Sequence, residues 1–146
     1  MATYSFLDVT ASLTGPTGVI DLGQGSANSE EGITQTMGGN KNTMTIGADG
    51  EVMHSLHADK SGTITVTLLK TSPVNKKRSL AYNAQSQSSA TWGNNVIVIR
   101  NTASGDISTA RSCAFQKQPD FNNAKEGGTV AWVFDCGKID QLLGEF

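Results

Sequence analysis

The chain has 146 residues, of which 37% are hydrophobic and 16% charged, and its formal net charge is -2. This length suits one compact domain over residues 1–146, and without a basic excess the chain is not expected to grip phosphate backbones. No apolar run approaches the roughly 18 residues of a membrane helix, and the start, MATYSFLDVTASL, lacks a signal-peptide pattern; neither membrane anchoring nor export by the usual route is expected.

Sixteen glycines against three prolines point to many turns and a β-rich chain. Tyr4 to about Leu13 alternates loosely and predicts a strand. Gly15-Pro16-Thr17-Gly18 is a turn into a second strand, Gly18 to Leu22, closing a hairpin. Gly23 to Asn42 is polar and Gly-rich, so it reads as a long surface loop with at most a short strand at Ile33 to Met37. Asp49-Gly50 then lies between two β-prone runs, a hairpin signal. Met44 and Ile46 alternate with threonines, whereas Val52 and Met53 are adjacent, which suggests a bulge or helical turn near Met53 to His57.

GTITVTLLK is the clearest strand, with Ile64, Val66 and Leu68 on one face and Thr63, Thr65 and Thr67 on the other. Ser72-Pro73 opens the one helix, with Val74, Lys77, Ala81 and Ala84 at helical spacing. VIVIRN, ISTARSCAFQKQ and TVAWVFDCG give three closing strands. In the second, Arg111, Cys113, Phe115 and Lys117 share one parity; in the third, Val130, Trp132, Phe134 and Cys136 do. The tail from Lys138 reads as a strand end or half a helical turn. The fold class is therefore mainly β, a sandwich or partly open barrel of seven or eight strands with one flanking α-helix. Cys113 and Cys136 are expected to be free, buried thiols.

Chemistry-bearing patterns are sparse. His54 and His57, near Asp49, Glu51 and Asp59, lack a third ligand at a recognised spacing, so no metal is expected. The glycines at 23 and 25 are followed by no Lys-Ser or Lys-Thr, and no Gly-x-Ser-x-Gly turn occurs. No catalytic residue and no cofactor are expected. Lys76-Lys77-Arg78, the sole basic cluster, reads as a solvated helix face; the functional alternative is a contact with Glu30-Glu31 of a neighbouring subunit.

The stretches YSFLDVTASLTGPTGVIDLGQG, EEGIT, KNTMTIGADGEVMHSLHADKSGTITVTLLKTSPVN, GNNVIVIRN, GDISTARSCAFQKQPDF and WVFDCGKIDQLLG resemble, in the same order, the tail tube proteins of contractile-tailed, myovirus-type bacteriophages. The resemblance covers nearly the whole chain, and KTSPVN and FQKQPDF are its most specific strings. It implies a structural subunit, assembled in the host cytoplasm and carried in the virion tail. Hexameric rings of such subunits stack into a hollow cylinder inside the sheath, in contact with baseplate and tail-terminator proteins, and DNA passes through the lumen without specific binding. A conduit of this kind should keep cations off its bore, so Lys76, Lys77 and Arg78 are expected to face elsewhere.

Contacts between rings or subunits are expected at the hairpin, through Met44, Ile46, Asp49, Gly50, Val52 and Met53, with Glu30 and Glu31 in a second candidate segment from Gly25 to Asn42. The alternatives are a tube subunit of another contractile injection or secretion apparatus and, in a different class, a carbohydrate-binding β-sandwich using Trp92 and Trp132.

Overall fold

A computed structural model describes residues 2–23 and 28–146, with the backbone alone for 28–31. Its strands are β1 (Val9–Gly15), β2 (Gly18–Asp21), β3 (Asn28–Met37), β4 (Asn42–Ile46), β5 (Val52–Leu56), β6 (Gly62–Leu69), β7 (Asn95–Asn101), β8 (Ile107–Phe115) and β9 (Thr129–Leu142). One helix, α1 (Val74–Gln85), lies between β6 and β7. Seven strands form one sheet in the order β2-β1-β7-β8-β9-β6-β3, and β4 and β5 form a separate pair. Every pairing is antiparallel.

The large sheet folds over itself. β3 pairs only with β6, yet the Gln35 side-chain amide donates to Gln141 Oε1 at 2.9 Å on the far half of β9, and Gln35 accepts from the Ser108 hydroxyl on β8. Two layers therefore face each other, and the apolar core lies between them. Leu13, Ile64, Val66, Leu68, Ile97, Ala110, Cys113, Phe134 and Ile139 fill it. This is the expected sandwich with its flanking helix. Among the described strands, the outer edges of β2 and β3 remain unpaired, and an open edge invites pairing with another chain.

Several boundaries depart from the sequence reading. Tyr4 is not in a strand: Phe6–Asp8 form a 3-10 turn, with Ser5 Oγ accepting from Leu7 N–H, and β1 begins at Val9. The stretch read as a loop with at most a short strand at Ile33 to Met37 contains the ten-residue β3, which begins five residues earlier, at Asn28. Its Ser, Thr and Gln residues suit an edge position, and the ladder from Ile33↔Val66 to Met37↔Gly62 holds it. The polar tail likewise continues as strand to Leu142, because β8 pairs with it as far as Ile107↔Leu142. β5 is a regular strand without bulge or helical turn.

β8 carries the irregularity that its side-chain parity concealed. Asn95 pairs with Cys113 but Ile97 pairs with Ala110, so β8 holds one extra residue there, and Ser112 adopts φ 54°. The bulge turns both Ala110 and Cys113 into the core and puts Arg111 outside, where it pairs with Asp140 at 3.2 Å. Lys117 lies beyond the strand.

The helix starts where expected. Ser72 Oγ accepts from Val74 N–H at 3.3 Å, and Pro73 precedes the first turn. Its buried face, however, is Val74, Arg78, Ala81 and Gln85, so Lys77 and Ala84 point to solvent. Gln85 and Asn95 exchange side-chain hydrogen bonds of 3.0 and 2.8 Å. Asn95 also donates to the Cys113 carbonyl at 3.1 Å, which satisfies a buried amide pair that links helix to sheet. Gly15 is required beside it, because a Cβ there would sit 2.0 Å from Asn95 Oδ1.

Arg78 corrects the expectation of a solvated basic face. Lys76 and Lys77 are exposed, but Arg78 is fully buried, its guanidinium 6.0 Å from the Trp132 ring centre and 5.8 Å from that of Phe134. No hydrogen-bond acceptor reaches its Nε, Nη1 or Nη2 among the described residues. Burial pushes its pKa down from the ordinary value to about 9.

Candidate assembly surface

Among the described strands, β4 and β5 pair only with each other. The hairpin continues the β3–β6 ladder outward through Gly38 N–H to Ser61 O at 2.9 Å and His57 N–H to Lys41 O at 3.0 Å. No residue from Asn42 to Lys60 is buried. The arm therefore takes its shape from its own ladder and turn. At the tip Gly50 N–H donates to Gly47 O at 3.0 Å, Asp49 Oδ1 accepts from Glu51 N–H at 3.1 Å, and Gly50 adopts φ 88°. That φ explains the Asp-Gly pair, since a β-carbon at Gly50 would be strained.

The register sorts the arm's side chains. Opposed residues share a face, so Ile46↔Val52, Met44↔His54 and Asn42↔Leu56 lie on one side, and Thr45↔Met53 and Thr43↔Ser55 on the other. Met44, Ile46, Val52 and Leu56 make one apolar face with exposures of 56%, 59%, 51% and 89%. Met53 stands on the reverse among threonines and serine. Leu56 escaped the sequence reading because it fell in an apparent helical turn; even strand spacing from Val52 was the signal that could have found it.

The remaining candidates are dispersed. His54 shares a hydrogen bond with Asn42, and His57 with Thr43, so the two rings have separate partners. The side chains of Glu30 and Glu31, and residues 25–27 altogether, lie outside the described residues, while the described part of that second segment is largely β3. Trp132 is 1% exposed and donates from its indole N–H to Asn75 at 3.0 Å, so it is no sugar platform. Cys113 and Cys136 are free and buried, with sulfurs 3.0 Å apart. Hydrogen bonding to Cys136, reinforced by burial, holds the Cys113 thiol protonated well above the ordinary range. A buried, protonated thiol is a poor nucleophile.

An exposed apolar arm and two open sheet edges on one small sandwich are features of a subunit that assembles. The family described as bacteriophage PhiTE tail tube protein matches residues 1–144. The chain belongs to the phage tail tube family. It is accordingly a structural component of a virion tail, a tube subunit. No curated protein sequence matches it. Among solved structures it is similar to a chain of the sheath-tube complex of an extracellular contractile injection system, PVC, in the extended state, at 10% identity and a TM-score of 0.61, covering 97% of this chain and 92% of that one. A chain of the PVC sheath/tube terminator in the extended state matches at 10% identity and a TM-score of 0.57, covering 97% and 98%. A chain of the anti-feeding prophage baseplate matches at 12% identity and a TM-score of 0.51, covering 97% and 96%. At such identities the likeness concerns the fold, which is that of contractile tube proteins.

Proposed function

We propose that this tube subunit acts as one domain that closes into hexameric rings, and that the β4–β5 arm joins each ring to the next. The observation that carries this reading is the apolar face of Met44, Ile46, Val52 and Leu56, exposed on an arm that contributes nothing to its own core. Apolar surface removed from water is worth about 25 cal/mol per Å², and repeated round a ring it favours stacking. Asp49 and Gly50 shape the arm, and Met53 contributes from its reverse face. Glu30 and Glu31, on a strand at the sheet edge, are placed in the contact between subunits.

The assembled cylinder conducts DNA, catalyses nothing, forms in the host cytoplasm, and meets sheath, terminator and baseplate proteins. Support for these partners comes from the kinds of complex whose chains share this fold. The mildly acidic chain suits a lumen that lets DNA slide.

Val52→Asp and Leu56→Asp are expected to abolish tubes in negative-stain micrographs while shifting the subunit's stability by less than about 0.5 kcal/mol, since neither side chain packs on the core. Met53→Asp should impair assembly less. Tubes of normal length from Val52→Asp protein would rule out the arm as the joint between rings.

A further inference from the structure

We propose that a groove at the open mouth of the sandwich is the socket for the β4–β5 arm of a second copy, and that Arg100 in this socket pairs with the acidic tip of the incoming arm. This rests on the tube reading above and names the partner surface of the same arm.

The socket is formed where the two layers diverge, between the segment before β1, the middle of β3, and the ends of β7, β8 and β9. It encloses about 530 Å³, and its walls include Ile33, Ile99 and Ile107. Tyr4, Leu142 and Leu143 at its lip are 63%, 67% and 70% exposed. Large apolar side chains left in water at this density mark a docking surface. No residue of the arm lines the groove within its own subunit, so a second copy must supply any arm that fills it.

Charge selects the occupant. Arg100 is exposed and makes no ion pair among the described residues. Asp106, an acidic group that also lines the groove, accepts from Gly144 N–H and makes no ion pair with Arg100. The arm has the opposite character: Asp49 and Glu51 flank its tip, and no lysine or arginine occurs between Asn42 and Asp59. An arm entering tip first brings two carboxylates to Arg100 and lays Met44, Ile46, Val52 and Leu56 along the apolar walls. Desolvation at the joint strengthens the ion pair and makes a like-charge substitute costly. The arm and the socket are different surfaces of one chain, so the contact is head to tail and propagates from copy to copy.

The test is charge reversal. Arg100→Glu and the double variant Asp49→Arg/Glu51→Arg should each remain folded, because all three side chains are exposed. Each alone should raise the concentration needed for tube formation by at least about tenfold. An equimolar mixture of the two should form tubes again, since each acidic tip then finds an arginine socket and each basic tip a glutamate socket. A single chain carrying all three changes should also recover. Leu142→Asn, which adds no charge, should block assembly by spoiling the apolar wall. Arg100→Glu tubes that form at the wild-type concentration would overturn the socket. So would a mixture that fails to assemble although Val52→Asp shows that the arm is needed; the arm would then dock elsewhere or on a different protein. Wild-type protein that never forms rings or tubes would remove the tube reading and the socket with it.

Discussion

Replacing Arg78 by methionine should make the isolated subunit more stable, by about 2–4 kcal/mol, in urea or thermal denaturation followed by circular dichroism. Removing a charge usually costs a protein something when the charge has a partner. Arg78 has none among the described residues: its guanidinium is fully buried, reached by no hydrogen-bond acceptor, and lies over the rings of Trp132 and Phe134. Two ring faces return about 1–2 kcal/mol of cation–π attraction each at best, whereas stripping water from an ion costs several kcal/mol. Methionine keeps the length and flexibility of the stem and drops the cation. With a shift of roughly 2–4 °C per kcal/mol for a domain somewhat larger than this one, the melting temperature should rise by about 4–16 °C. A fall in stability would mean that the guanidinium finds a partner in solution.

The same residue gives the comparison a pH signature. Burial lowers the pKa of Arg78 from its ordinary value to about 9, so the folded state disfavours the protonated form. The penalty is fully present below about pH 9 and is relieved as pH rises from there towards the ordinary guanidinium range, where the unfolded chain still holds the proton. The advantage of Arg78→Met over the wild type should therefore be constant between pH 6 and 8 and shrink above pH 9. A gap that widened with alkali would contradict the burial argument.

How much of this was written in the sequence differs from element to element. The arm was legible because Asp49-Gly50 states its turn chemistry and Met44 and Ile46 alternate with threonine. β6 and the start of α1 were legible for the same local reasons. β3 was legible only as a short strand at Ile33 to Met37; its first half, from Asn28, is polar and reaches Gly32, so it looks like loop until the strand is seen to continue. Arg78 misled because charge alone predicts water, and only the aromatic rings of β9, more than fifty residues away, reveal the burial. The Ser112 bulge was hidden because one extra residue reverses parity without changing composition. Of the arm's exposed apolar face, Met44, Ile46 and Val52 were readable, and Leu56 follows once the strand is known to be regular. The groove at the mouth of the sandwich was beyond reach: Arg100, Ile33 and Leu142 belong to three strands that meet only when the sheet folds over itself.

Phe115→Ala should have the largest destabilising effect in the chain, about 3–5 kcal/mol. Phe115 is 2% exposed and touches four other rings: Tyr82 of α1 edge-on at 5.6 Å, Trp92 at 6.5 Å, Trp132 edge-on at 5.8 Å and Phe134 at 4.8 Å. It therefore joins the helix, the turn after it and β9 in one contact. Alanine would lose the transfer energy of the ring and also leave a cavity, because a helix tied by the Gln85–Asn95 amide pair cannot settle into the space. Phe115→Leu keeps most of the volume and should cost less than half as much. The loss should appear as a lower urea midpoint with an unchanged slope. Since the rings of Trp132 and Phe134 also bracket Arg78, the two sites should couple. In the Phe115→Ala background the loosened packing gives the guanidinium a route to water, so adding Arg78→Met should help less than it does in the wild type. Strict additivity would place Arg78 and the aromatic cluster in independent parts of the core.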